Sequence, residues 1–204
     1  MVPYKNIVFD MGRVLTDYDP DAATRQFTDD PAIIREVNLV VYHSGEWNML
    51  DAGLISEEEA LYDMKRHCSS DEVRRVAEQS FLHWDDYNLY LHPGMEEVVQ
   101  AVHDAGKGVY MLSNNSVRMA KNDRWRDWTP CPDLFDGVLI SACYHTLKPQ
   151  HLIYETFCKE FGLKPEDCFF IDDLKRNIVG AKECGIDGMV FDGDAAALKK
   201  KLVG

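Results

Sequence analysis

The amino-acid sequence predicts an α/β protein: a doubly wound, Rossmann-like parallel sheet with a small all-helical cap inserted after the first strand. Three observations carry that expectation. A β-branched and aromatic run begins at residue 5. From residue 91 onward, strand-like and helix-like segments alternate, the pattern of parallel βαβ units with right-handed crossovers. Between them lies a stretch with helix signatures and no comparable strand run. The expected division is therefore a core made of residues 1–16 and 91–204, and a cap made of residues 17–90.

Taken in order, residues 5–10 (KNIVFD) form a short apolar run that ends in an acid, as a buried strand with a carboxylate at its C-terminal tip would. Within residues 17–90, PAIIREVNLVVYHSGEWNML, SEEEALYDMKRHC and SDEVRRVAEQSFLHW have helical spacing. Ser56 with Glu59 fits a capping box, and Ser70 or Asp71 fits the start of the next helix. HPGMEEVVQAVHDAG follows as a helix with Pro93 near its start and Gly106 past its end. GKGVYMLSNN is a strand that ends in Ser113 and Asn114, and SVRMAKNDRW has the spacing of a short helix. GVLISA (137–142) is a strand, and Pro149 to Phe161 a helix closed by Gly162. CFFIDD (168–173) is a strand that ends in two acids, followed by a helix from Lys175 to Cys184 closed by Gly185. GMVFD and DAAALKKKL supply a last strand and a last helix.

Composition narrows the partners. The chain has 204 residues, 46% of them hydrophobic, and a formal net charge of −13. That length suffices for one buried core with an accessory domain. An acidic surface repels nucleic-acid backbones and anionic lipid, so neither is an expected partner. It also repels a phosphate, so a phosphate site must carry local positive charge or a metal. The six cysteines form no C-x-x-C pair, and neither a zinc site nor a disulfide framework is expected. No signal peptide is expected at the N-terminus, and no apolar run approaches the roughly 20 residues of a membrane span. The expectation is a cytoplasmic protein, a monomer or weak homodimer, with a small phosphorylated metabolite as its partner.

In an open parallel sheet, ligands bind at the carboxyl ends of the strands. Three of the expected strands end there in polar groups, namely Asp10, Ser113-Asn114 and Asp172-Asp173. Lys148 follows a fourth. Any one of these is an ordinary turn residue; the set recurring on one rim is not. Clustered carboxylates repel unless a cation joins them, and oxygen ligands without His or Cys favour Mg²⁺. Ser113 and Lys148 can hold phosphate oxygens and balance charge in a transition state. Asp10 can attack phosphorus to give an aspartyl-phosphate that water hydrolyses. G-x-G-x-x-G, P-loop and G-x-S-x-G signatures are absent.

These residues resemble the haloacid dehalogenase (HAD) superfamily of phosphohydrolases. Phe9-Asp10-Met11-Gly12-Arg13-Val14-Leu15 resembles its first motif, with Asp10 as nucleophile. Leu112-Ser113-Asn114 resembles the second and Lys148-Pro149 the third. Phe170-Ile171-Asp172-Asp173, followed by Asn177 and Gly180-Ala181, resembles the fourth. The resemblance covers essentially the whole chain, cap included. It implies Mg²⁺ held by Asp10, the Gly12 carbonyl, Asp172 and Asp173, and phosphate contacted by Ser113, Asn114 and Lys148. More narrowly, D-x-G, S-N-N and the cap segment Gly45-Glu46-Trp47…Asp51-Ala52-Gly53-Leu54-Ile55-Ser56 resemble bacterial sugar-phosphate phosphatases of the α-D-glucose-1-phosphate phosphatase type. Trp47 is then a candidate to stack on a sugar or bridge cap and core, against a plain core tryptophan.

One departure has chemical weight. Most phosphatases of the family place a second Asp two residues after the nucleophile, as general acid and base. Here Gly12 stands there, and losing such help costs about 10²–10⁴-fold in rate. Asp17 is the nearest spare carboxylate, and His43 is a cap histidine that could face the site. Without an acid, an activated leaving group is favoured, which points to sugar 1-phosphates over 6-phosphates. Three rival readings stand beside the phosphatase: a metal-free haloacid dehalogenase acting on a 2-haloacid, a phospho-accepting receiver-type domain, and a catalytically weak or silent binding module of the same fold. Asp172-Asp173 disfavours the first and the long helical insert the second, while Gly12 is the support for the third.

Overall fold

The computed structural model describes residues 1–204. Strand β1 (Asn6–Phe9) is buried on both faces, as a central parallel strand must be. Ile7 and Phe9 join the apolar body that continues into the cap, while Val8 joins a second body on the opposite face. After a tight turn the chain forms β2 (Thr16–Tyr18). The helices α1 (Pro31–Val37), α2 (Gly45–Asp51), α3 (Glu57–Arg66), α4 (Asp71–Leu82) and α5 (Trp84–Tyr87) follow, before β3 (Leu89–Leu91) returns the chain.

The remainder alternates. It runs α6 (Met95–Asp104), β4 (Gly108–Ser113), α7 (Val117–Ala120), β5 (Gly137–Ile140), α8 (His151–Glu160), β6 (Cys168–Asp172), α9 (Lys175–Glu183), β7 (Asp187–Val190) and α10 (Ala195–Val203). The five core strands are parallel in the order β5-β4-β1-β6-β7. Helices α6 and α10 pack with the first apolar body, and α8 and α9 with the second, so the sheet is doubly wound. The order reverses beside β1. Phe9 is in register with Met111 and Ile171, which sets residue 10 level with the polar ends of β4 and β6. That crevice is where open α/β sheets bind ligands.

Local signals account for the cap helices. Ser56 and Glu59 form the full capping box at α3, with Ser56 Oγ accepting from the Glu59 N–H and Glu59 accepting from the Ser56 N–H. Ser70 caps α4 through the Val73 N–H. The long run expected as one helical segment is broken. Asn38–Tyr42 winds as a π turn, and Ser44 restarts the chain as the N-cap of α2, accepting from the Trp47 N–H. The π turn widens the helix where the buried Tyr42 hydroxyl reaches Ser80 Oγ at 2.7 Å.

Two further differences are instructive. The insert is not helical at its ends: β2 and β3 pair antiparallel, Thr16 with Leu91 and Tyr18 with Leu89, where the chain leaves and re-enters the core. Three-residue strands are too short to leave a period in the sequence. The helix expected over SVRMAKNDRW ends at Ala120, because Asn122 and Asp123 adopt left-handed conformations that short polar side chains tolerate.

A charged network joins insert and core beside this break. Arg118 donates to Glu57 at 2.6 Å and to Asp85 at 2.9 Å, and Arg124 donates to Asp85 at 3.0 Å and to Asp86 at 2.9 Å. Asp85 is buried, so its charge depends on both arginines. Arg118→Ala is expected to destabilise the fold by on the order of 3 kcal/mol, since one partner of a buried ion pair is lost. Arg66→Ala, which breaks an exposed pair with Asp63, should cost below about 1 kcal/mol. Urea denaturation of the two variants measures the contrast, and equal effects would refute it.

Candidate active site

Lys148 is the centre of the site. Its ammonium is buried and lies 2.7 Å from Asp10 Oδ1 and 2.8 Å from Asp172 Oδ2, and it donates to the Leu112 carbonyl at 3.0 Å. The chain supports it from several elements. Asn114, just past β4, accepts from the Lys148 N–H at 2.8 Å and donates to the Lys148 carbonyl at 3.0 Å. Asn177 on α9 donates to both oxygens of Asp172 at 2.9 Å, and the Leu174 N–H donates to Asp172 Oδ1 at 2.8 Å. Gly180 lets α9 press against this segment, because a Cβ there would sit 2.6 Å from the Pro149 carbonyl oxygen.

The charges follow from burial and pairing. Burial pushes the Asp10 carboxyl well above its ordinary range, with Lys148 opposing and Asp172 adding to the rise. Burial works against the Lys148 charge, but Asp10 and Asp172 more than offset it, so its pKa is raised. Burial likewise works against the Asp172 charge, yet the Lys148 ammonium and the hydrogen bonds from Leu174 and Asn177 hold its carboxyl below the ordinary value. Asp173 is raised by burial and by its neighbour Asp172. Carboxylate oxygens of Asp10, Asp172 and Asp173 lie within 4.8 Å of one another. Three acids against one ammonium leave negative charge in excess, which a proton or a cation must relieve. All-oxygen donors of this kind fit Mg²⁺.

The expected site residues fall into two groups. Asp10, Lys148, Asp172 and Asp173 form the charged cluster, with the buried Ser113 at the end of the adjacent strand β4. Ser113 Oγ has one long contact, 3.5 Å to the Asn114 carbonyl. Asn114 lines the cavity and also positions Lys148, since both ends of its amide meet the Lys148 backbone. Beside the cluster opens a cavity of about 160 Å³, whose wall includes Gly12, Tyr18, Tyr42, Trp47, Asp51 and Trp84. Trp47 both lines this cavity and packs edge-on against Tyr42 and Trp84, at ring-centroid distances of 5.2 and 5.3 Å. Its two readings are therefore compatible.

Neither spare acid–base candidate reaches the cavity. Thr16 and Tyr18 face it, so Asp17 between them points to the other side of the ribbon and pairs with His92 at 2.9 Å. His43 is exposed at the end of the π turn and is not part of the wall. Gly12 is not required by the backbone, since its φ is not left-handed and a Cβ there would meet no atom within 4 Å. The reading from sequence missed the role of Tyr18, Tyr42, Trp84 and Asp51. Asp51 lies in the cap segment between Gly45 and Ser56, but nothing in its spacing shows which way it points.

A family model described as haloacid dehalogenase-like hydrolase matches residues 4–185. The chain belongs to that family. It is 26% identical to a D-ribitol-5-phosphate phosphatase of Bacteroides thetaiotaomicron, over 90% of this chain and 89% of the relative. It is 23% identical to a sesquiterpene phosphatase of Aspergillus oryzae, over 98% of this chain and 97% of the relative. Among solved structures, a HAD-family enzyme of Bacteroides thetaiotaomicron in complex with magnesium and inorganic phosphate superposes with a TM-score of 0.69 at 22% identity, covering 94% of this chain and 96% of that one. The doubly wound parallel sheet is thus the fold of this hydrolase family. No helix is long and apolar enough to cross a membrane.

The excess acid makes a thermodynamic prediction. Mg²⁺ at about 100 times its dissociation constant should stabilise the protein by roughly 2.7 kcal/mol over the chelated form. Asp173→Asn should shrink that gain. Thermal melts with and without chelator measure both, and a melting temperature indifferent to Mg²⁺ would refute the metal site.

Proposed function

We propose that this chain is a Mg²⁺-dependent phosphatase that hydrolyses a small phosphorylated metabolite, a sugar or polyol phosphate, through an aspartyl-phosphate on Asp10. The observation that carries the reading is the Lys148 ammonium held between Asp10 and Asp172, with Asp173 completing a set of oxygen ligands. Relatives along the full length that are named as phosphatases support it, one of them acting on a polyol phosphate. A cavity of about 160 Å³ suits a small organic group and lies below the ~300–1,000 Å³ of drug-sized pockets. Its aromatic wall can cover the carbon skeleton while hydroxyls face the polar rim.

The chain's own groups divide the work. Asp10 Oδ1 is engaged by the Met11 N–H at 2.7 Å and by Lys148, which leaves Oδ2 for an incoming phosphorus. Attack forms the Asp10 O–P bond and breaks the P–O bond to the leaving group, which departs with a proton. Water then attacks phosphorus, giving up a proton as inorganic phosphate leaves and the Asp10 carboxylate is restored. Lys148 balances charge on the transferring group, and Ser113 offers it a hydroxyl. Asp10, the Gly12 carbonyl, Asp172 and Asp173 would hold Mg²⁺. When bound, the ion neutralises phosphate charge and lets the anion approach the acidic cluster.

The clustered acids also bear on the dehalogenase reading. A metal-free site would leave Asp172 and Asp173 repelling a haloacid carboxylate, which favours the metal-dependent reaction.

Four results test this reading. Phosphate release from a panel that includes glucose 1-phosphate, glucose 6-phosphate and ribitol 5-phosphate should require Mg²⁺ and stop on chelation. Asp10→Asn should abolish turnover while the melt remains cooperative. Lys148→Ala should cost on the order of 10³-fold in kcat, as loss of a preorganised transition-state donor does. Lys164→Ala, on an exposed turn, should leave the rate within about two-fold, since surface changes far from a site are near neutral. Activity in Asp10→Asn near that of the wild type would rule out the covalent route.

A further inference from the structure

The cavity holds one carboxylate that the Lys148 cluster does not use. Asp51 is the last residue of α2 and lines the same cavity as Gly12. Tyr18 lies close enough to feel its charge, and Tyr42, Trp47 and Trp84 complete the apolar surround. The opposing cation is Lys148 in the core.

Asp51 is held over the core by its backbone. The Ser141 hydroxyl donates to the Asp51 carbonyl at 2.5 Å and accepts from the Asn115 N–H at 2.9 Å, next to the Asn114 clamp. Two residues on, Gly53 has φ +65°, and a Cβ there would lie 2.1 Å from the Ala142 carbonyl oxygen. His145 Nδ1 lies 3.0 Å from the Gly53 carbonyl oxygen. The stretch from Asp51 to Gly53 is thus a latch, seated on the core segment from Ser141 to His145 by contacts that require a glycine.

We propose that Asp51 is the proton donor and acceptor of the reaction, carried by the cap to the space that Gly12 leaves open. The inference rests on the phosphatase reading above. It deepens that reading by naming the group that moves the proton. In the first step the protonated Asp51 gives its proton to the departing oxygen as the P–O bond breaks. In the second, the Asp51 carboxylate takes a proton from the water that attacks the aspartyl-phosphate. The acid is then restored, and one water is consumed per ester. Burial raises the Asp51 carboxyl to about 7, with Lys148 opposing, where a group can both give and take a proton near neutrality.

The assignment changes the expected substrate. If the cap supplies the acid, Gly12 no longer restricts the enzyme to activated leaving groups such as anomeric phosphates. Esters of ordinary alcohols become accessible. A docked cap also becomes necessary for proton transfer, so release of the latch exposes the site without its acid.

The test compares leaving groups. First-turnover rates of Asp51→Asn are measured with Mg²⁺ on 4-nitrophenyl phosphate and on a sugar or polyol phosphate that the wild type hydrolyses. The nitrophenolate leaves without a proton, whereas the alkoxide needs one. A loss of about 10²–10⁴-fold on the alkyl ester is expected, with a loss on the aryl ester smaller by roughly ten-fold or more. Asp51→Glu, which keeps a carboxyl group, should recover part of the alkyl-ester rate, and so should Gly12→Asp added to Asp51→Asn. Equal losses on the two esters, or a larger side chain at 51 harming both alike, would mean that Asp51 only packs, and would overturn the proposal while the phosphatase reading stands. A wild type inert on every phosphate ester would overturn both.

Discussion

The structure depends on one buried cation. Lys148 sits between Asp10 and Asp172, and each of the three would be costly to bury alone. Their mutual pairing makes the switch point of the sheet habitable for charge. The surrounding hydrogen bonds exist to hold that arrangement: Asn114 fixes the Lys148 backbone from both sides, and Asn177 fixes Asp172 through both carboxylate oxygens. The pairing is incomplete by design, since Asp173 adds a further acid that the lone ammonium does not balance. An electrostatic deficit of this kind favours a small hard cation, such as the Mg²⁺ of the proposed reaction.

The cap supplies what the core lacks. The core rim offers charge but little that could recognise a carbon skeleton, whereas the cap brings Tyr42, Trp47, Trp84 and Asp51 over it. Two connections set their height. The β2–β3 ribbon carries the chain across, and the network of Arg118 and Arg124 with Glu57, Asp85 and Asp86 braces the side where α7 ends. A third contact, the seat of Gly53 on Ala142, aims the end of α2 at the cavity. Ring packing among Tyr42, Trp47, Phe81 and Trp84 keeps the aromatic wall rigid, so binding need not order it.

Much of this was legible in the sequence, and the reasons are specific. KNIVFD and CFFIDD announce buried strands because a strand covered on both faces must be continuously apolar, and their terminal acids then have one place to go. Ser56 with Glu59 announces a helix start because the capping box is a local interaction, complete within four residues. The breaks inside PAIIREVNLVVYHSGEWNML and SVRMAKNDRW were not legible. Helical spacing continues through both, and the break in the first serves a distant demand, the reach of Tyr42 to Ser80. β2 and β3 escaped because three residues carry no usable period and their partners lie more than seventy positions apart.

The sequence by itself determined the fold class, the acids and the lysine at the strand ends, and the vacancy at Gly12, since each of these follows from residue type and local pattern. The tertiary structure alone decided which carboxylate lines the cavity beside that vacancy. Asp17 is near Gly12 in the chain, but strand alternation turns it toward His92. Asp51 lies in a different element and is brought to the cavity because Ser141 and Ala142 seat the end of α2 on the core. The direction of a side chain across an interface depends on how two elements pack, and no local pattern encodes that.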